Sequence, residues 1–120
     1  VVAKWNRMGD NAKRQYHKCY GPQFILQMSG NGLIAPCGPY FNEKTKAFHI
    51  GNIMRTRFID IFNSDRYWEV MGYLGSEHFD PSKRCPPNCL QHLSNIWLDN
   101  YVQGKVTFPI SPMPAHPEFI

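Results

Sequence analysis

With 120 residues, 42 % of them hydrophobic and 14 % aromatic, the chain can bury one modest core and is short for most self-contained enzymes. Ten prolines and nine glycines predict many turns and little long regular structure. The formal charge of +4 is scattered over residues such as Lys4, Arg7, Lys13, Arg14 and Lys18, without a long basic run or an aromatic-rich RNA-binding pattern, so the basic N-terminal stretch reads as a solvated face and a nucleic-acid partner is disfavoured.

The first clear element runs from Gln23 to Cys37, where apolar residues flank Ser29-Gly30-Asn31-Gly32. Asn-Gly is a strong two-residue hairpin signal, and a turn at Asn31-Gly32 places Cys37 opposite Leu26. Gly21-Pro22 then folds Cys19 back towards the open end of the hairpin. After Gly38-Pro39 a polar turn over Asn42 to Lys46 leads into a short strand or extended segment, Ala47 to Ile53. An approach turn is expected over Phe58 to Phe62. Ser64 then caps an amphipathic helix carrying Tyr67, Trp68, Met71 and Leu74 and ending near Gly75.

Asn88 is the expected cap of the last helix, with Gln91 at its third position and Leu90, Leu93, Trp97 and Tyr101 at helical spacing as far as Gly104. The expected fold is thus α+β: a small loop-rich domain with an N-terminal β-hairpin followed by two short-to-medium helices, organised around a four-cysteine metal or cluster site. Residues 1–18 read as an N-terminal lead-in, 19–104 as the domain proper, and 105–120 as a proline-rich, extended tail. The chain lacks an apolar membrane span and an apolar signal core, which points to the cytoplasm.

The four cysteines, Cys19, Cys37, Cys85 and Cys89, carry the functional reading. Four is an even number and permits two disulfides, but with no secretion signal the chain offers no sign of an oxidising compartment. Unligated buried cysteines are a further reading. A closed zinc site suits Cys85-x3-Cys89, although zinc ribbons supply two tight pairs and seventeen residues separate Cys19 from Cys37. An iron–sulfur cluster takes four cysteines and tolerates wider spacing. Cys89, placed in the first turn of the last helix, would gain from the positive helix end, which favours a thiolate.

Cys19-x12-Gly32-x4-Cys37, the Ile34-Ala35-Pro36-Cys37 segment after an Asn-Gly turn, Gly51-Asn52-Ile53 and Ile59-x-x-Phe62-Asn63-Ser64 together resemble the C-terminal auxiliary-cluster domain, of SPASM or twitch type, of radical S-adenosylmethionine enzymes. The resemblance spans Cys19 to Tyr101. It implies that Cys19, Cys37, Cys85 and Cys89 ligate one [4Fe-4S] cluster, with zinc as a substitute in the isolated chain. It also implies an upstream radical S-adenosylmethionine barrel in the same polypeptide as partner, the nucleotide cofactor binding there. The parent would be an oxidoreductase or a peptide- or small-molecule-modifying enzyme.

Two departures from the family matter. A full SPASM domain has seven cysteines and two auxiliary clusters, whereas only the Cys-x3-Cys end of its Cys-x2-Cys-x5-Cys-x3-Cys block is present here. The Cys-x3-Cys-x2-Cys motif of the radical-generating cluster is absent from the sequence, so the chain alone is expected to be inactive and its role is electron transfer or substrate positioning. The competing class is a zinc module that binds protein or nucleic acid.

The remaining polar and aromatic residues read as structure. His17 and His92 stand near cage cysteines in sequence and are candidates for hydrogen bonds to sulfur or a replacement ligand, with solvated or capping roles favoured. Asp80, in Phe79-Asp80-Pro81, reads as a turn former, and Trp68, Trp97 and Phe62 as core. No nucleophile elbow, phosphate-cradling glycine loop or zinc-protease motif is present.

Overall fold

A computed structural model describes residues 14–107. The proposed lead-in up to residue 13 and the tail from residue 108 lie outside the described residues. Three short strands, β1 (Gln27–Met28), β2 (Leu33–Ala35) and β3 (Gly51–Asn52), form one antiparallel sheet in the order β1-β2-β3. Four helices follow: α1 (Phe58–Phe62), α2 (Asp65–Leu74), α3 (Pro81–Arg84) and α4 (His92–Val102). The α+β class, the hairpin and a strand within Ala47 to Ile53 are as expected, and α1 forms where an approach turn is expected; the short helix α3 is not.

The hairpin differs from its expected form by one residue. Gln27 pairs with Ala35 and Met28 with Ile34, and Gly32 alone in the loop has a left-handed backbone, at φ 78°. That geometry is a three-residue loop, Gly30-Asn31-Gly32, closed by Ser29 N–H donating to the Leu33 carbonyl at 2.9 Å, with glycine in the left-handed position such loops require. The Asn31 side chain stabilises it by accepting from Leu33 N–H at 3.2 Å. Continuing the observed register puts Cys37 opposite Ile25 rather than Leu26.

Between β2 and β3 the chain makes two 3-10 turns, Gly38–Tyr40 and Glu43–Phe48. The polar turn is thus helical and runs on into the segment expected to be extended, leaving only Gly51–Asn52 as strand. Proline at the start of the first turn presets its backbone, and the Asn42 side chain caps the second by accepting from Lys44 N–H at 3.0 Å. Arg66, on α2, ties this segment down by donating to the carbonyls of Ala47 and His49 at 2.6 and 3.0 Å.

Helix α2 begins and ends where its sequence signals stand. The Ser64 hydroxyl accepts from Tyr67 N–H at 3.2 Å, and Gly75 closes the helix with its N–H on the Met71 carbonyl. Tyr67, Val70, Met71 and Leu74 are buried against Ile34, Ala35, Ile50, Ile61 and Phe79, forming the core. Trp68, expected on this inner face, is 56 % exposed: it is one position on from Tyr67, about 100° round the helix, and packs edge-on against Tyr67 and Phe62 at the rim. Ser64→Ala is expected to cost about 1 kcal/mol, the usual worth of a serine cap, seen as a lower urea midpoint with unchanged slope.

The last helix starts later than its sequence suggests. It spans His92–Val102 with Gln91 at the cap position, so Asn88 is not the cap and Cys89 lies in the turn before the helix rather than in its first turn. The Gln91 side chain is engaged elsewhere, donating to the Ile25 carbonyl at 2.9 Å, and leaves the helix end without a side-chain cap. The apolar residues at helical spacing are also turned outward, with Leu90 86 % and Leu93 64 % exposed. Polar Gln91 and Asn95 face inward instead. They meet the 3-10 turn Gly21–Gln23, and a side chain at Gly21 would collide with Gln91 at 2.7 Å.

Candidate metal centre

Each cysteine sits at the end of a short element. Cys19 precedes the Gly21–Gln23 turn, and its N–H donates to the Leu74 carbonyl at the end of α2, at 2.8 Å. Cys37 follows β2 and caps the Gly38–Tyr40 turn. Cys85 ends α3, and the Cys89 carbonyl accepts from His92 N–H at 3.4 Å. The two halves of the chain therefore converge through a hairpin end, a helix end and a loop stiffened by Pro86-Pro87.

All four cysteines are free thiols; Cys19 is buried and the other three are half-buried. Burial pushes the Cys19 thiol up to about 12, opposed by the Asn95 amide and reinforced by the charges Cys85 and Cys89 would carry. Burial likewise pushes Cys37 up to about 12, and Cys85, Cys19 and Cys89 all add to the rise. Cys85 is raised by burial, with Tyr40 and Arg14 acting against it. The four sulfurs thus share one electrostatic neighbourhood, but among the described residues no three His, Cys, Asp or Glu side chains stand close enough to hold a metal ion.

The donor set nonetheless fits a soft metal centre. Thiolates are the ligands that iron–sulfur clusters and zinc select, and several thiolates gathered together repel one another until a cation neutralises them. Cys19, Cys37, Cys85 and Cys89 would hold such a group.

Three polar side chains that local sequence signals did not mark surround the thiols. Arg14, read as part of a solvated basic face, is only 7 % exposed. Its guanidinium donates to the carbonyls of Pro81 at 2.9 Å and Cys85 at 3.2 Å, and to that of Pro86. The Tyr40 hydroxyl lies 3.9 Å from Cys85 Sγ. Asn95 donates from Nδ2 to Cys19 Sγ at 3.4 Å. Their contacts join residues 45 to 76 positions apart, beyond the reach of any periodicity.

His17 is solvated as expected, whereas His92 is half-buried and neither solvated nor capping. His92 Nδ1 is 3.0 Å from the Tyr16 hydroxyl, and burial, with Arg14 nearby, lowers its pKa. His17 faces Asp80 at 3.7 Å across an exposed surface. Asp80 caps α3, accepting from Ser82 N–H at 2.9 Å, which with the Ser82 hydroxyl draws its carboxyl down to about 2.

Away from the thiols, the outward stripe of α4 lines an open groove of about 750 Å³ with Tyr20, Phe24 and Ile25, and half-buried Trp97 stacks on Tyr101 along it. Trp97 therefore belongs to this groove rather than to the core. Half-buried Phe62 does pack on the core, 4.7 Å from Tyr67 between ring centres. No described helix is long and apolar enough to cross a membrane.

A small α+β domain with free thiols at its hairpin end, at a helix end and in the loop before its last helix carries the donor type that soft-metal centres use. Residues 19–90 match the family model of SPASM, an iron–sulfur cluster-binding domain, and the chain belongs to that family. All four cysteines fall within the matched stretch, whereas Arg14 and Asn95 lie outside it. No curated protein and no solved structure matches the chain.

Proposed function

We propose that Cys19, Cys37, Cys85 and Cys89 hold one [4Fe-4S] cluster, and that residues 19–104 form an auxiliary-cluster unit working beside a radical S-adenosylmethionine domain. What supports this reading is a set of four free thiols, with Cys85 and Cys89 near enough for their charges to raise Cys19 and Cys37, inside a chain of the SPASM family. When bound, such a cluster supplies one-electron transfer at a potential set by its surroundings.

The protein's own contribution is positioning. The Cys19 backbone is tied to α2, the Cys85 loop to Arg14, and Cys37 to the end of β2. Four protein thiolates would complete the coordination of the cluster, which favours electron transfer over direct ligation of substrate. Because the sequence lacks the Cys-x3-Cys-x2-Cys motif, the chain does not generate the radical itself.

Anaerobic reconstitution with iron and sulfide tests the reading. A brown protein with four irons and four sulfides per chain is expected, and each single Cys→Ser substitution should remove most of that loading. Colourless protein that takes up one zinc and no sulfide under the same conditions would assign the thiols to a zinc module instead.

A further inference from the structure

We propose that Asn95 is a positioning residue of the thiol site: it locks the Cys19 loop onto α4 and aims a fixed N–H at Cys19 Sγ, raising the reduction potential of a cluster held there. The inference rests on the cluster reading above and adds to it a residue beyond the matched stretch, which ends at Leu90.

The geometry leaves the amide one orientation. Asn95 is 0 % exposed, and its Oδ1 accepts two backbone bonds, from Tyr20 N–H and Gly21 N–H, each at 2.8 Å. Turning the amide over would point its NH2 group at those two donors, so Oδ1 must face them and Nδ2 must face the sulfur. The donor is therefore prepositioned on Cys19 Sγ, and holding it there costs no reorganisation when charge accumulates on the sulfur.

Asparagine inside a helix is otherwise a weak choice, since it has poor helix propensity and is polar. Here it satisfies three partners on the segment 19–21 at once. A hydrogen bond to a ligating sulfur withdraws negative charge from it and eases the uptake of an electron by the centre. Tyr40 approaches Cys85 more distantly, at 3.9 Å. Asn95 is thus the closer donor and the one whose direction is fixed by its other bonds.

Asn95→Asp conserves shape and an oxygen that accepts both backbone bonds, but replaces the amide N–H facing the sulfur by a carboxyl oxygen. The experiment is a potentiometric titration of the reconstituted full chain, followed by electron paramagnetic resonance, with iron and sulfide counted in each sample. The expected result is equal loading of wild type and Asn95→Asp, with the variant's midpoint shifted to more negative potential. Equal loading with an unmoved midpoint overturns the proposal and leaves the cluster reading standing, whereas a wild-type chain that takes up no iron and sulfide overturns both.

Should Asn95→Asp fail to load, a second measurement decides. The chain is labelled with 15N in its asparagine side-chain amides, in an Asn88→Ser background that removes the other asparagine beside a thiol. Pulsed spectra of its reduced cluster should show a 15N coupling, and a spectrum without one overturns the proposal.

Discussion

Replacing Arg14 by methionine should destabilise the folded chain by roughly 3 kcal/mol, the scale expected when a buried, hydrogen-bonded cation is removed and its partners are left behind. The guanidinium gathers three carbonyls, those of Pro81, Cys85 and Pro86, at the end of α3. The C-terminal end of a helix is negative, and a cation fits there. Methionine fills much of the volume but offers no donor, so the Pro81 carbonyl keeps only the Cys85 N–H, the part-buried carbonyls of Cys85 and Pro86 lose the guanidinium, and the loop carrying Cys85 and Cys89 loses its tether. Arg14→Lys keeps the charge but not the planar fork that bridges separate carbonyls, and should lie between wild type and Arg14→Met. Urea unfolding of the three chains at pH 7.5 checks the order. Equal midpoints for Arg14→Met and wild type would show that the contacts carry no net stability.

Arg14 also marks the boundary of what could be read in advance. The Asn-Gly turn, the Ser64 cap and the Gly75 stop are local signals, each acting within a few residues, and hairpin and helix formed where they stand. The hairpin register differs by one because Asn31-Gly32 suits two loops: the two-residue form needs left-handed backbone at both positions, and Gly32 alone adopts it. The last helix was misplaced because Gln91 spends its side chain on Ile25, a partner 66 residues away that no capping pattern encodes.

The candidate site divides in the same way. Cysteine spacing and the surrounding motifs marked the thiols, and the family match over residues 19–90 covers them all. Arg14 reads as one more surface cation and Asn95 carries no local signal, since their meaning depends on segments that meet only in the folded chain. The stripe Leu93, Trp97 and Tyr101 misled for a related reason. Helical periodicity identifies an apolar face but not which face the rest of the fold will cover, and here two polar residues with partners on 20–25 won the inner position.

After chelation to strip any bound metal, the chain should become less stable as pH rises from 9 towards 12. Burial lifts Cys19 and Cys37 from 9.0 to about 12, and lifts Cys85 in the same direction. Between those limits the unfolded chain has lost thiol protons that the folded chain retains, so the folded state binds more protons and stability falls with increasing pH. The contribution is complete below pH 9 and is lost as pH climbs through the folded values. Each thiol contributes a slope of up to about 1.4 kcal/mol per pH unit. Arg14 and the Tyr40 hydroxyl moderate the rise at Cys85 while Asp80 adds to it, and Asn95 moderates it at Cys19. The buried Tyr16 and Tyr40 hydroxyls, also raised, steepen the loss above pH 10. Urea midpoints at pH 8, 9.5 and 10.5 should fall in that order, and Cys19→Ala should flatten the decline. Metal loading should run the opposite way, because thiols must give up their protons to become ligands: uptake of iron and sulfide, or of zinc, strengthens over the same pH rise that weakens the stripped chain. Midpoints that stay level from pH 8 to 10.5 would mean that the thiols are not held protonated by the fold.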